Sequence, residues 1–450
     1  MEANYREIDK SHVWHPLFQH QQLDETDLLV IKTANGTTLV DADGREYLDA
    51  YSALWNVNVG YGRQEIADAV YAQIQELCYY PHSQINVPAT ELAEKLAACL
   101  PGDLNHVYFC NSGSEANETA IKIARQYGKL TYPGENRYKI ISRYRGYHGF
   151  TYGAMSATGQ ARRRAKFEPL VSGFYHAQPP YCYRCPLGLD VAACNDACVN
   201  DIERIIHSEG PETVIAVIAE PIIGGGGVIV PSDEYFPKLR KICDDYGLLL
   251  ILDEVITGFG RTGKMFACEH WGLQPDIITL AKGLTSGYIP LGACVTSTSV
   301  FNTFLGNPEE NREFSQVCTY GGHPVACAAG IENLNILQNE HLCENAEKIG
   351  KYLLDKLKPL LDLPIVGDVR GKGLMLAVEL VQSDGARLET VKTNRILAEL
   401  REKGVIVGKI GHALFEPENI IFIAPPLILT ETEADRIFDT LREVLIQQEF

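Results

Sequence analysis

Two short apolar runs, Gly247-Leu-Leu-Leu-Ile-Leu-Asp253 and Asp276-Ile-Ile-Thr-Leu-Ala-Lys282, decide how this chain folds. Each run has the length and the aliphatic composition of a buried β-strand, and each ends on a charged side chain. A continuous apolar strand is typical of a parallel sheet that helices cover on both faces. The two runs therefore predict an α/β fold in which Asp253 and Lys282 reach the same edge of one sheet.

Further strands and helices alternate along the chain around these two runs. Predicted strands lie at residues 106–110, 139–144, 214–219 and 292–297, and predicted amphipathic helices lie at residues 91–100 and 115–127. Strands that alternate with helices form a mostly parallel sheet covered by helices. We therefore expect residues 65–327 to form one large α/β domain.

The two ends of the chain have a different pattern. Residues 25–50 contain short alternating runs with turn signals at Asn35-Gly36 and Asp43-Gly44, which predict a β-hairpin. Beyond the large domain, long helical stretches precede short strands and a last helix. We expect an N-terminal segment over residues 1–64, which forms part of the smaller domain, and a smaller α+β domain over residues 328–450.

The composition argues against several classes of partner. The 40 basic and 58 acidic residues give a formal net charge of −18, which disfavours nucleic acid and anionic membranes as partners. The first seven residues lack the apolar core of a secretory signal, and no apolar stretch approaches the roughly 20 residues of a membrane helix. Thirteen cysteines, an odd number, do not suggest a disulfide framework. We expect a cytoplasmic protein.

The charged residues at the two strand ends indicate a specific chemistry. A lysine together with a carboxylate is the pair that a pyridoxal phosphate enzyme needs. The lysine, here Lys282, forms a Schiff base with the cofactor. The carboxylate, here Asp253, keeps the pyridine nitrogen protonated so that the ring accepts electrons. We therefore interpret the chain as an aminotransferase.

A candidate phosphate site follows the strand at residues 106–110. Ser112 and Glu115 have the spacing of a capping box at the start of a helix, and Gly113 lets the backbone approach a ligand closely. Backbone N–H groups at such a helix start bind phosphate. An ordinary capped helix without a ligand would have the same sequence.

Three glycine-containing segments follow other strands. In Gly146-Tyr-His-Gly149 the aromatic ring could lie on a planar cofactor, or the segment could be a surface turn. Gly224-Gly-Gly-Gly227, which follows Glu220, is interpreted as a loop because no helix pattern follows it directly. Gly258-Phe-Gly-Arg-Thr-Gly263 has the letters of a dinucleotide-binding motif, but the required helix does not follow, and we interpret the match as fortuitous.

Four cysteines are close together in the sequence: Cys182, Cys185, Cys194 and Cys198. The inner gaps of two and three residues would allow four thiols to bind a structural zinc ion. The central gap of eight residues is shorter than in common zinc motifs. Reduced cysteines in an irregular insertion are the alternative interpretation.

Several of these segments together resemble one protein family, the class III aminotransferases of the fold-type I pyridoxal phosphate superfamily. The motifs that carry the resemblance are residues 111–117, 147–149, 248–263 and 276–292. The resemblance runs from Asp43 to Leu427, nearly end to end. Residues 52–63 and 182–185 are similar to the ω-amino acid and amine:pyruvate subgroup, and to taurine:pyruvate aminotransferases in particular. The resemblance to class III aminotransferases implies a fold-type I architecture and pyridoxal 5'-phosphate as cofactor.

The resemblance also implies a role for each matching residue. Lys282 would bond to the cofactor and carry the transferred proton, and Asp253 would bind the pyridine N–H. The other residues that would contact the cofactor are Ser112, Gly113, Ser114, Tyr147, His148, Glu220, Val255 and Thr319. Trp55 and Tyr152 would line the substrate pocket. Because Thr319 would reach the phosphate bound by the neighbouring subunit, the resemblance implies a homodimer or a dimer of dimers.

Two departures from the family pattern bear on the site. Members often carry His-Gly before the Thr-Tyr pair, where this chain has Gln316-Val317. Many members also bind an α-carboxylate with an arginine before the final Pro-Pro pair, and the stretch Lys409–Ala424 contains no arginine. An acid group would have to be bound by Lys409, His412, an arginine elsewhere such as Arg162, or another means.

We expect an enzyme that moves an amino group from an ω-amino acid, taurine or a primary amine to pyruvate by a ping-pong route. A first alternative is another chemistry on the same cofactor, such as an aminomutase, a decarboxylase or a racemase. Such an enzyme would show no net amino transfer to a 2-oxo acid. A second alternative is a catalytically silent regulator that binds the cofactor or a metal. The intact pair of Asp253 and Lys282 argues against this alternative, because a silent site needs no Schiff-base lysine.

Overall fold

Three β-sheets organise the part of the chain that the structure, a computed structural model, describes: residues 5–22, 28–191, 193–411 and 413–448. The strands are β1 (Ile31–Asn35), β2 (Thr38–Asp41), β3 (Glu46–Asp49), β4 (Leu104–Cys110), β5 (Lys139–Arg143), β6 (Phe174–Ala177), β7 (Val214–Ala219), β8 (Leu249–Asp253), β9 (Ile277–Leu280), β10 (Gly292–Ser297), β11 (Val366–Gly371), β12 (Leu376–Leu380), β13 (Val405–Ile406), β14 (Gly408–Ile410) and β15 (Ile420–Ile423).

Helices surround these sheets. They are α1 (Tyr5–His12), α2 (Ser52–Trp55), α3 (Gln64–Glu76), α4 (Val87–Cys99), α5 (Gly113–Thr131), α6 (Tyr152–Ala157), α7 (Ala161–Arg164), α8 (Ala197–Glu209), α9 (Tyr235–Tyr246), α10 (Thr298–Asn302), α11 (Pro324–Asn339), α12 (Leu342–Leu357), α13 (Thr390–Glu402) and α14 (Glu431–Ile446). Within the described ranges, every helix is too short or too polar to cross a membrane.

The central sheet has seven strands in the order β4-β10-β9-β8-β7-β5-β6. The strands from β9 to β6 in this order pair in parallel, which confirms the predicted parallel sheet. Strand β7 is buried along its whole length, as expected for a strand with helices on both faces. Strand β10 is antiparallel to both neighbours.

The carboxyl ends of five strands meet at one edge of this sheet. Strand β4 runs in the same direction as β9, because both are antiparallel to the strand between them. Strands β5, β7 and β8 share that direction. The segments that follow these strands in the sequence therefore converge at this edge, where open α/β sheets bind their ligands.

One of the two smaller sheets combines residues from both ends of the chain. Strands β1, β2 and β3 form an antiparallel meander, which confirms and extends the predicted hairpin. Strand β13 adds to β3 in parallel. The other sheet has the order β11-β12-β15-β14. The division of the chain at residues 64 and 327 remains a prediction.

The segment Gly258–Gly263 forms consecutive turns and leads into a short 3₁₀ helix, Ala267–Trp271, so it lacks the helix of a dinucleotide-binding motif. Its Arg261 is fully buried, and its guanidinium donates to the backbone carbonyls of Leu374 and Pro425 and to Oδ1 of Asn58. Burial lowers the pKa of Arg261 to about 9. The arginine thus ties three distant parts of the chain together behind the sheet edge.

Candidate active site

A cavity of about 410 Å³ lies where the five strand ends meet. Nine residues that were singled out from the sequence line it: Ser112, Gly113, Ser114, Tyr147, His148, Glu220, Asp253, Val255 and Lys282. They come from the last residue of β8 and from the segments that follow β4, β5, β7, β8 and β9. The sheet topology therefore brings the lysine and the carboxylate into the same space.

Asp253 is held in one orientation by hydrogen bonds to both of its oxygens. Its Oδ1 accepts from the backbone N–H of Val255 at 3.1 Å, and its Oδ2 accepts from Nδ2 of Asn117 at 2.7 Å. Nδ1 of His148 lies 2.8 Å from the same Oδ2. Asn117 is fixed in turn, because its Oδ1 accepts from the hydroxyl of Thr279 at 2.8 Å. A carboxylate offers about four acceptor positions, so Asp253 can still accept from an N–H group in the cavity.

Lys282 combines backbone strain with loss of hydration. Its φ of 44° lies in the left-handed region, which is unfavourable for any residue other than glycine and is common at functional sites. Desolvation lowers the pKa of its ammonium group to about 8, although the charges of Asp253 and Glu220 oppose this shift. A lysine with such a pKa has an appreciable neutral, nucleophilic fraction near neutral pH.

Glu220 joins two segments on the other side of the cavity. Its Oε1 accepts from the backbone N–H of Tyr147 at 2.9 Å, and its Oε2 accepts from that of Gly224 at 2.8 Å. Burial raises the pKa of Glu220, the nearby His148 opposes the rise, and the charge of Asp253 adds to it. Gly226 must be glycine, because a Cβ there would lie 2.1 Å from a backbone oxygen. The glycine loop is thus packed tightly against the segment that carries Tyr147.

The start of α5 provides an anion-binding end to the cavity. The hydroxyl of Ser112 accepts from the backbone N–H of Glu115 at 3.2 Å, and the Glu115 carboxylate accepts from the N–H of Asn111 at 2.7 Å. The Ser112 cap and the contact between Glu115 and the residue before the cap fix the first turn. A Cβ on Gly113 would lie 2.7 Å from a methyl group of Val255, so glycine is needed for this close approach. The N–H groups of a first helical turn have no partner within the helix and favour anions.

These parts fit pyridoxal phosphate in chemistry as well as in arrangement. The helix start suits a phosphate, the open acceptor position on Asp253 suits a protonated ring nitrogen, and the amine of Lys282 suits an aldehyde. Tyr147 and Val255 line the same cavity and supply an aromatic and an aliphatic surface for a planar ring.

Three other residues singled out from the sequence lie outside this lining. Trp55 is buried and stacks on Phe422, with ring centroids 4.0 Å apart, whereas its neighbours Leu54 and Asn56 line the cavity. Tyr152 is exposed at the start of α6. Thr319 is exposed, and its carbonyl accepts from the hydroxyl of Tyr79. The assignments of Trp55 and Tyr152 to the substrate pocket and of Thr319 to a neighbouring phosphate remain predictions.

Sequence reasoning missed two residues that hold Asp253. Asn117 lies on α5, one turn into the helix, and Thr279 lies in the middle of β9. The available signals were an asparagine at helical spacing from the apolar Ala120, Ile121 and Ala124, and a threonine inside an aliphatic strand. Both side chains are fully buried in the structure. Buried polar groups are almost always hydrogen-bonded, so each one indicates a partner.

The cations that the sequence offered for an acid group have other partners. Nη1 of Arg162 lies 2.9 Å from Glu418, and Nζ of Lys409 lies 2.6 Å from the same carboxylate. Lys409 also donates to Asn394. His412 lies outside the described residues. One carboxylate therefore pairs with both of the described candidates, and the three groups together keep one positive charge.

The four clustered cysteines Cys182, Cys185, Cys194 and Cys198 all carry free thiols. Among the described residues, no three His, Cys, Asp or Glu side chains are arranged to hold a metal ion. Burial raises the pKa of the Cys182 and Cys198 thiols, which disfavours the thiolate form that metals bind.

The family model for aminotransferase class-III matches residues 20–445. The chain is 48% identical to the uncharacterized aminotransferase YhxA of Bacillus subtilis (strain 168), covering 97% of this chain and 96% of that protein. It is 42% identical to the taurine–pyruvate aminotransferase of Bilophila wadsworthia, covering 96% of this chain and 94% of that protein. These similarities extend over nearly the whole of each protein.

A solved structure shows the same fold. The thermostable (S)-enantioselective omega-transaminase from Thermomicrobium roseum superposes with a TM-score of 0.92 and is 42% identical in sequence. The match covers 99% of this chain and 98% of that one. The predicted fold-type I architecture is therefore confirmed.

Proposed function

Because this chain belongs to the class III aminotransferases, we propose that it moves an amino group from an ω-amino acid, taurine or a primary amine to pyruvate. The enzyme depends on pyridoxal phosphate, as its family does. When bound, this cofactor supplies an aldehyde that takes up the amino group and a ring that withdraws electrons. The observation that carries the proposal is the convergence of Lys282 and Asp253 in one cavity.

Each part of the cavity has a proposed role. The first turn of α5, with Ser112, Gly113 and Ser114, would hold the phosphate, and Asp253 would accept the ring N–H. Tyr147 and Val255 would contact the two faces of the ring, and His148 and Glu220 would hold Asp253 and Tyr147 in position. These roles rest on the hydrogen bonds and cavity lining described above.

Lys282 is the residue suited to move a proton during the reaction. Lys282 lines the cavity, and its lowered pKa lets its side chain exist as an amine or as an ammonium near neutral pH. A group whose pKa lies near the working pH both accepts and returns a proton efficiently. We therefore assign Lys282 Nζ as the atom that would take a proton from the donor carbon and deliver it to the carbon that the cofactor supplies as its aldehyde.

We expect donors with a primary amine on a terminal carbon, such as taurine, β-alanine or a simple alkylamine, and pyruvate as acceptor. The stretch Lys409–Ala424 contains no arginine to bind an α-carboxylate. The relative from Bilophila wadsworthia is a taurine–pyruvate aminotransferase. The test is a panel of donors at fixed pyruvate, with 2-oxoglutarate as competing acceptor. Strong preference for 2-oxoglutarate or for ornithine-like donors would contradict the proposal.

We also expect a homodimer or a dimer of dimers. Thr319 lies outside the cavity of its own chain, and the apolar side chains beside it are exposed: Val317 is 88% exposed and Tyr320 is 60% exposed. Burying such a surface favours association. Sedimentation at assay concentration should show a multiple of the 49.9 kDa chain. Val317→Asp should weaken the assembly, whereas Leu361→Asp, at another exposed apolar residue, should not. An active monomer would refute this assembly.

A further inference from the structure

We propose that Asn333, which lies on α11 outside the cavity lining, is a positioning residue that holds Lys282 in place for its reaction with the cofactor. This inference deepens the proposed function and rests on Lys282 as the reacting lysine. The five residues from Lys282 to Ser286 form a 3₁₀ segment and a turn after β9, and we call them the lysine turn. The place of the amine in the cavity depends on the shape of this turn.

The lysine turn contains two residues with unfavourable backbone conformations. Lys282 has a φ of 44° and Ser286 has a φ of 50°, and both values lie in the left-handed region. Residues other than glycine keep such values only where surrounding contacts hold them. Inside the turn, the N–H of Leu284 donates to the carbonyl of Ala281 at 2.9 Å, and the N–H of Thr285 donates to the carbonyl of Lys282 at 3.2 Å. Bonds of this kind also form in turns with ordinary φ values, so contacts from other parts of the chain maintain the strain.

The side-chain amide of Asn333 makes three hydrogen bonds to the lysine turn. Its Nδ2 donates to the carbonyl of Gly283 at 2.8 Å and to the carbonyl of Leu284 at 3.1 Å. Its Oδ1 accepts from the hydroxyl of Ser286 at 2.6 Å. In the described part of the chain, Asn333 is the one donor to either carbonyl. One amide therefore binds the turn both at the residue next to Lys282 and at its far end.

The burial of Asn333 makes this arrangement difficult to change. Its side chain is fully buried, so water cannot replace a hydrogen bond that the amide loses. Helix α11 also approaches the turn closely at Gly330, where a Cβ would lie 3.1 Å from the side chain of Leu92 and 3.6 Å from the carbonyl oxygen of Leu284. Because a buried polar group without a partner is costly, the helix and the turn keep one relative position.

The other side of the lysine turn packs against the N-terminal segment. The backbone N–H of Val59 donates to the hydroxyl of Ser286 at 3.2 Å, and a Cβ on Gly283 would lie 2.5 Å from Nδ2 of Asn58. The turn is thus enclosed between this segment and α11. Without the amide of Asn333 two carbonyls of the turn would lose their donor, and the backbone would relax toward ordinary φ values. The amine would then move, whereas the phosphate site at the start of α5 would stay in place.

The experiment compares two ligands of the apoenzyme. The amine of Lys282 adds to the aldehyde carbon of pyridoxal phosphate, and the aldehyde oxygen leaves as water. Pyridoxamine phosphate has no aldehyde and measures noncovalent binding alone. Asn333→Ala should slow the absorbance change with saturating pyridoxal phosphate about tenfold, the effect of one buried hydrogen bond. The dissociation constant for pyridoxamine phosphate should change by no more than about twofold.

Three further variants separate the placement of Lys282 from a general effect on the fold. Asn335→Ala removes an asparagine from the same helix whose Oδ1 accepts from Nζ of Lys95 at 2.9 Å, and it should react at the wild-type rate. Asn333→Asp keeps the shape of the side chain but places an oxygen against two carbonyl oxygens, so its loss should exceed that of Asn333→Ala. Ser286→Ala leaves both Asn333 donors in place and should cause a loss smaller than tenfold.

A wild-type rate in Asn333→Ala, an equal loss in Asn335→Ala, or an equal loss of pyridoxamine phosphate binding would overturn the assignment. If Asn333→Ala does not fold, Ser286→Ala decides, and a wild-type rate in that variant would overturn it. If borohydride labels Lys282 at the same rate with and without Asn333, the proposed function stands and the positioning role is wrong. If the rate depends on Asn333 but no amino donor reacts with the holoenzyme, the positioning role stands and the proposed donors are wrong.

Discussion

Replacing Lys282 with alanine will abolish amino transfer and leave the fold in place. We expect turnover to fall by more than about 10⁴-fold, which is the upper end of what a single general acid–base group supplies. The variant should still bind pyridoxal phosphate, because the start of α5 is built by the capping residues Ser112 and Glu115 and does not involve the lysine. Lys264→Ala, which changes an exposed lysine between β8 and β9, should retain normal turnover.

The covalent prediction for Lys282 can be tested directly on the holoenzyme. Borohydride reduction followed by peptide mapping should find the pyridoxyl group on Lys282. A label on any other lysine, or unchanged turnover in Lys282→Ala, would mean that the mechanism assigned here is wrong. Binding of pyridoxal phosphate by the variant, measured by absorbance after gel filtration, separates loss of chemistry from loss of the cofactor.

The lowered pKa of Lys282 gives this prediction a pH dependence. The amine is the nucleophilic form, and its fraction rises as the pH increases through the pKa of about 8. The rate at which the apoenzyme takes up pyridoxal phosphate should therefore increase with pH and reach half of its maximum near pH 8. A midpoint near 10.5, the ordinary value for lysine, would show that the ammonium group is not desolvated in solution.

The fold could be predicted to the extent that local sequence determines it. The apolar runs that end at Asp253 and Lys282 became β8 and β9, and the glycine turns of the N-terminal segment became the β1–β3 meander. The pairing of β13 with β3 could not be predicted, because it joins residues more than 350 positions apart through two backbone pairs. Such a pairing depends on how the smaller sheets pack against each other, and no local sequence pattern indicates that packing.

The site residues that directly follow or end a strand could be predicted from the sequence. Residues such as Glu220 lie at the sheet edge because their strands end there. The contact between Asn117 and Asp253 could not be predicted, since it depends on how far α5 is rotated relative to the sheet. Trp55 shows the same limit. Its segment has left-handed φ values at Ser52, Ala53 and Trp55, and this strained turn directs the indole onto Phe422.

Asp253→Asn is the second substitution from which we expect a large effect. The change removes the negative charge that would keep the ring nitrogen protonated, and it preserves the shape of the side chain. We expect turnover to fall about 10²- to 10³-fold, the range seen when one preorganised electrostatic contact is lost. The free energy of unfolding should change by no more than about 1–3 kcal/mol, the cost of disturbed hydrogen bonds around one buried group.

The hydrogen bonds of Asp253 explain why asparagine is a poor substitute. In asparagine, one of the two carboxylate oxygens is replaced by an NH₂ group, which is a donor. This NH₂ group must face either the backbone N–H of Val255 or the side-chain NH₂ of Asn117, and both of these groups are themselves donors. Asn117→Ala keeps the charge and removes one donor, so a smaller loss of about tenfold is expected. Comparing the turnover of Asp253→Asn with that of Asn117→Ala therefore separates the effect of the Asp253 charge from the effect of how the Asp253 side chain is positioned.

Three measurements decide the role of Asp253: turnover, thermal unfolding and the pH dependence of the absorption of the bound cofactor. In the wild type the ring nitrogen should stay protonated at high pH, and in Asp253→Asn its titration should move to lower pH, because the carboxylate no longer favours the charged form. Asp245→Asn, which removes an exposed carboxylate paired with Lys241 on α9, should alter neither turnover nor the titration. Near-normal turnover of Asp253→Asn, or an unshifted titration, would show that another group is the partner of the ring nitrogen.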